Sequence, residues 1–166
     1  MKYILDSNTF IEAKNRYYSM TVCPAYWQWL LNAHGEGHIY SIDLVKDEML
    51  KQHDELADWT RAHSDFFVDV SESKIQEKFA EVAAYVASLT HMRNGTHEDF
   101  MSGADPWLIA VALANDFTIV TQESLVSADV RKKIYIPNVC QALGAKYINT
   151  FELLHELEAE FVLSAA

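Results

Sequence analysis

Short apolar runs alternate along this chain with longer stretches of helical periodicity, and few folds accept that order. Lys2-Tyr3-Ile4-Leu5, His38-Ile39-Tyr40, Phe66-Phe67-Val68, Phe117-Thr118-Ile119-Val120-Thr121 and Lys146-Tyr147-Ile148 read as five strands. Asp6-Ser7-Asn8 offers capping side chains for a helix through about Tyr17. Pro24 precedes a helix rich in large apolar groups, and Ser41 reads as the cap of the helix that carries Glu48. Further helices are expected over 54–63 and 73–89, the latter with Ile75, Phe79, Val82 and Val86 on one face. Asp105-Pro106 opens an almost wholly apolar helix ending near Asn115, and Thr150 reads as the cap of a last helix. Arg93-Asn94-Gly95-Thr96 reads as a loop, and Ile134-Tyr135-Ile136-Pro137 as extended or irregular. Strands that alternate with helices predict a parallel sheet covered on both faces. The 106–114 stretch, apolar all round, predicts a helix wedged between the sheet and other helices.

With 166 residues, half of them hydrophobic, the chain is expected to be a single domain over 1–166 with a sizeable core. The formal net charge is -11, which argues against a sequence-independent duplex binder presenting a basic face. Cys23 and Cys140 show no paired spacing and read as reduced thiols. The first apolar run is cut at once by Asp6, so no secretory signal is read, and no apolar stretch is long enough to span a bilayer. A soluble cytoplasmic protein is the expectation.

Against this frame four acids stand out: Asp6, Glu48, Asp105 and Glu123. In open parallel sheets ligands sit beyond the carboxyl ends of the strands, where the chain order reverses. Asp6 follows the first strand and Glu123 follows the strand ending at Thr121, so neighbouring strands would bring the two together. Taken alone, Asp105 is an N-cap before a proline; the same position also faces the strand-end side of the sheet. Glu48 lies beside the apolar stripe of Ile42, Val45 and Met49 and needs a partner there. Two like charges 4 Å apart repel by roughly 4 kcal/mol at an effective dielectric near 20. A pocket with several such pairs calls for a cation, and a hard divalent ion is the usual one for oxygen ligands. The usual chemistry of such a site is performed on a phosphate.

With these residues in place the sequence resembles the PIN domains. The resemblance rests on Ile4-Leu5-Asp6-Ser7-Asn8-Thr9-Phe10, on Glu48, on Gly103-Ala104-Asp105-Pro106-Trp107-Leu108-Ile109-Ala110, and on Thr118-Ile119-Val120-Thr121-Gln122-Glu123. It implies a three-layer α/β/α sandwich around a five-stranded parallel sheet in order 3-2-1-4-5. It also implies a ribonuclease dependent on one or two Mg²⁺ or Mn²⁺ ions, often the toxin of a VapC-type pair. Carried over, Asp6, Glu48, Asp105 and Glu123 are the metal-binding and catalytic acids, with Glu123 where the family more often has Asp. Asn8 and Thr121 match polar positions that support those acids. The implied partners are an RNA substrate, a protein antitoxin and a second copy of the chain.

Local cations for RNA are Lys14, Arg16, Arg93 and the triplet Arg131-Lys132-Lys133, and Tyr17 and Tyr18 offer stacking faces. The helix with Trp27 and Trp29 is either core or interface. The histidine pairs His91/His97 and His34/His38 lack a zinc framework. Two other readings share parts of the pattern. A non-catalytic PIN-like interaction module would keep the fold without metal. A phosphatase of the haloacid dehalogenase type also starts with a strand and an Asp nucleophile, but wants a second Asp where this chain has Asn8.

Overall fold

The computed structural model describes residues 1–164. In chain order the elements are β1 (Tyr3–Leu5), α1 (Ser7–Glu12), a π-helical turn (Ala13–Tyr17), α2 (Pro24–Gly35), β2 (Ile39–Ile42), α3 (Asp43–Leu50) and α4 (Glu55–Ala62). A 3₁₀ turn (Ser64–Phe66) leads into β3 (Phe67–Val68), followed by α5 (Ser73–Ala87), α6 (Thr96–Ser102), α7 (Asp105–Asn115), β4 (Thr118–Val120), α8 (Ile136–Leu143), β5 (Lys146–Ile148) and α9 (Thr150–Glu156).

Among the described residues the strands form one parallel sheet in the order β3-β2-β1-β4-β5, as the sequence resemblance implied. The chain order reverses at β1, whose neighbours are β2 and β4. Helices cover both faces, giving a three-layer α/β/α sandwich. On one side α5, α7 and α8 pack together against β1, β4 and β5. There α7 buries Pro106 and Leu108 through Ala112, and Trp107 stacks on Phe79 with ring centroids 3.8 Å apart.

The other layer is built from aromatic side chains. Phe10 of α1 sits among Trp59, Phe66 and Phe67, and Trp27 meets Trp59 with centroids 5.3 Å apart. Tyr26 and Trp27 are buried, so the tryptophan-rich helix belongs to the core. Fixing α1 through Phe10 matters for function, because α1 starts at Asp6.

Several local expectations change. Ser41 does not cap α3; it lies inside β2, fully buried, and donates its hydroxyl to the Leu5 carbonyl at 2.7 Å, while Ile42 takes the cap position. Residues expected to be irregular from Ile136 onward form α8, with Pro137 in the first turn, where a missing N–H is harmless. Helix α6 follows Gly95, whose φ of +87° turns the chain into it. Asn149, not Thr150, caps α9, forming a reciprocal capping box with Glu152. Helix α1 ends at Glu12, and a wider π turn carries the chain to Tyr17.

Candidate functional site

The carboxyl ends of β1 and β4 lie side by side, with Leu5 paired to Val120. Asp6 follows the first of these strands and Thr121 the second. Asp6 is 2% exposed and caps α1: its Oδ1 accepts the Thr9 N–H at 2.9 Å. Its Oδ2 accepts the Thr121 hydroxyl at 2.6 Å. Burial pushes the Asp6 carboxyl up to about 6, against the opposing pull of Thr121 and of the Thr9 and Asn8 backbone N–H groups; the Glu123 charge adds to the upward push. Asn8 thus touches Asp6 through its main chain, while its exposed side chain lines the adjoining groove.

Asp105 occupies the first position of α7 and is not its cap. Ala104 takes that place, and no side chain caps the helix. Among the described residues the Asp105 carboxylate has no hydrogen-bond or ion-pair partner. Burial and then the charges of Asp6, Glu123 and Glu48 raise it to about 7, with Lys133 pulling the other way. The charges of the other three acids singled out in the sequence therefore all reach Asp105, although they come from the residue after β1, from α3 and from the segment after β4.

The four are not equivalent. Glu48 has both oxygens engaged: Oε2 accepts from Ser7 Oγ at 2.7 Å and Oε1 from the Ala104 N–H at 3.1 Å. Ser7 follows Asp6 and Ala104 precedes Asp105, so Glu48 ties together the two main-chain segments that present the aspartates. Glu123 is also committed. Its Oε1 pairs with Lys133 Nζ, and its Oε2 accepts the Ile136 N–H at 2.8 Å, at the start of α8. A carboxylate at that helix end is also favoured by the helix dipole.

The other cations noted in the sequence have varied fates. Lys14 pairs with Asp54 and Arg16 with Glu12. Arg131 donates through Nε to the His91 carbonyl at 2.9 Å. Tyr18 is stacked on Tyr26, whereas Tyr17 is half exposed and stands edge-on to Phe151. In the sequence Lys133 reads only as one member of a basic triplet. The structure pairs it with Glu123, a contact with no local signal in the sequence because the partner is ten residues away across a loop.

Two depressions meet at Lys133. One, with a cavity volume of about 390 Å³, is lined by Asn8, Glu12, Arg16, Tyr17, Gln122 and Glu123. The other, of about 310 Å³, is lined by Thr96, Asp99, Phe100, Asp105, Lys132 and Ile134.

The donors are carboxylate oxygens, which suit a hard divalent cation. Among the described residues no three His, Cys, Asp or Glu side chains are gathered into one metal-holding group. That still fits Mg²⁺, which is commonly held by one or two carboxylates and completes its shell with water. Asp6 and Asp105 are the pair whose charge such an ion would balance.

The topology is that of a PIN-like fold. The chain belongs to the family described as Domain of unknown function (DUF4411), whose model matches residues 3–161. A search of curated proteins finds no match. Among solved structures the chain is similar to one in the crystal structure of VapBC2 from Rickettsia felis bound to a DNA fragment from their promoter. The TM-score is 0.55 at 15% identity, over 90% of this chain and 98% of that one. At that identity the likeness speaks for the fold. Among the described residues no helix is long and apolar enough to cross a membrane.

Proposed function

We propose that this chain is a divalent-metal-dependent endoribonuclease, acting as the toxin of a two-protein toxin–antitoxin pair. The carrying observation is the unpartnered Asp105 carboxylate, raised to about 7 by burial and by the charges of Asp6, Glu123 and Glu48 at the strand-end switch point. Asp105 lines the depression beside Lys133, so its carboxylate is reachable, and the neighbouring charges of Asp6, Glu123 and Glu48 favour a cation there.

In this reading Asp6 and Asp105 hold a Mg²⁺ or Mn²⁺ ion. Bound there, the ion would activate water and neutralise charge on the scissile phosphate. The protein's own groups do the rest. Thr121 and the Thr9 N–H keep Asp6 in one orientation. Glu48 fixes the separation of the aspartate-bearing segments. The half-exposed Tyr17 offers a face on which an RNA base can stack. An acidic surface with a net charge of -11 suits a basic antitoxin segment.

The decisive experiment compares cell growth on induction of the wild type, Asp6→Ala and Asp105→Ala, paired with RNA cleavage by the purified proteins in Mn²⁺ or EDTA. Growth arrest and cleavage that vanish in both variants, and in EDTA, support the reading. Equal toxicity of all three refutes it. A non-catalytic interaction module is the second reading, favoured by the lack of a gathered three-ligand group among the described residues. No Mn²⁺ binding by calorimetry, together with tight binding of a protein partner, would select it.

A further inference from the structure

We infer that Lys133 is a resident cation of the acidic centre: its ammonium takes the place that a second divalent ion would hold, and neutralises charge on the bound phosphate. The inference rests on the nuclease reading above and narrows it to one ion, held by Asp6 and Asp105.

Three observations carry it. First, Glu123 already has a cation: both its oxygens are engaged, as those of Asp6 are, but Asp6 accepts only from neutral donors. Lys133 Nζ takes one, and the Ile136 N–H takes the other at 2.8 Å. The Glu123 side chain is only 8% exposed, so freeing it for a metal would strip a helix N-terminus of its acceptor. Second, Lys133 remains reachable. Its side chain is 49% exposed, and it lies where the Asn8–Arg16–Tyr17 depression meets the Asp105–Lys132 depression. An RNA strand running from one depression to the other must pass its ammonium. Third, the loop that carries Lys133 is pinned on both sides. Asn138 exchanges two hydrogen bonds with the main chain of Val126, at 3.1 and 2.8 Å. The Arg131 carbonyl accepts the Arg93 N–H at 3.0 Å, and Lys133 also lies 5.0 Å from the Tyr135 ring centroid. A charge held this way costs little reorganisation when a phosphate arrives.

The chemistry separates the four acids into two pairs. Asp6 and Asp105 would hold the ion; Glu123 pairs with Lys133 and keeps the lysine aimed; Glu48 holds the main chain. The longer glutamate arm at 123 then has a reason. It spans from the segment after β4 to both the lysine and the start of α8.

The test is Mn²⁺ stoichiometry and affinity, by calorimetry and electron paramagnetic resonance, on the wild type, Lys133→Met, Lys133→Gln, Glu123→Gln and Asp105→Asn. The wild type should bind one Mn²⁺. Asp105→Asn should lose well over about a hundredfold in affinity, and Glu123→Gln no more than about tenfold, the lower end for substitutions that only support a metal site. Removing the ammonium should admit a second, weaker Mn²⁺, and Lys133→Gln guards against misfolding of the methionine variant. Metal-free RNA binding should weaken in both lysine variants. Two Mn²⁺ in the wild type, or a loss in Glu123→Gln equal to that in Asp105→Asn, overturns the inference while leaving the nuclease intact. No Mn²⁺ in the wild type overturns the nuclease reading itself.

Discussion

Thr121 donates its hydroxyl to Asp6 Oδ2 at 2.6 Å across the seam between β1 and β4, and Thr121 Oγ1 itself accepts the Glu123 N–H at 3.1 Å. One buried hydroxyl therefore orients the first aspartate and fixes the turn that follows β4. Its removal has a defined outcome. Thr121→Val keeps the shape of the side chain but leaves a buried carboxylate short of one donor. A hydrogen bond to a charged group contributes about 1.5–3 kcal/mol. We predict a loss of stability in that range above pH 7, read by urea unfolding, and weaker Mn²⁺ binding by calorimetry.

Asp6 and Asp105 bind their protons more tightly in the folded chain, near 6 and 7, than the ordinary value of 3.8 in the unfolded one. Between those limits the native state carries more protons, so its stability falls as pH rises. For metal-free protein we expect an unfolding free energy that declines from about pH 4 to about pH 7 and then levels off. Asp105→Asn, which removes the unpartnered charge without touching a cap, should flatten the upper part of that decline and raise stability at pH 8. A profile that rises through this window would contradict the placement of the two carboxyls.

Divalent metal should reverse the effect at high pH. A ligand that binds only the folded state adds about 2.7 kcal/mol at a hundred times its dissociation constant. The midpoint of thermal unfolding at pH 8 should climb with Mg²⁺ or Mn²⁺ in the wild type and stay nearly unchanged in Asp105→Asn. KCl at matched ionic strength is the control for simple charge screening.

Glu48 gives a prediction of another kind, because its oxygens serve Ser7 and the Ala104 main chain. Glu48→Ala leaves the Ala104 N–H without its acceptor, at a cost of about 1–3 kcal/mol. Glu48→Gln retains one acceptor oxygen and should lose less. Nuclease activity should fall in both, and in Glu48→Ala added Mn²⁺ should restore it only in part, since the defect lies in position and not in charge.

The parts of this molecule that were legible in the sequence are those written in short windows. Alternating strands and helices and the capping of α1 by Asp6 sit within a few residues of their signal, whereas the order of the sheet comes from the family resemblance. Helix α8 was hidden because the Ile136-Pro137 pair biases the preceding residue toward extended backbone. Helix α6, only seven residues long, shows too little of a period to be read. The roles of Glu48 and Lys133 depend on partners in other elements. Ser7 and Ala104 lie 41 and 56 residues from Glu48. No local pattern announces such a tie, and charge alone cannot tell an acid that holds an ion from one that holds a backbone.

The bracket that Glu48 makes sets a minimum for anyone who would transplant this centre. Moving the two aspartates onto a foreign α/β scaffold would carry over the charges but lose the strut between their segments. Three separate pieces of chain, around 6, 48 and 105, have to travel as one unit.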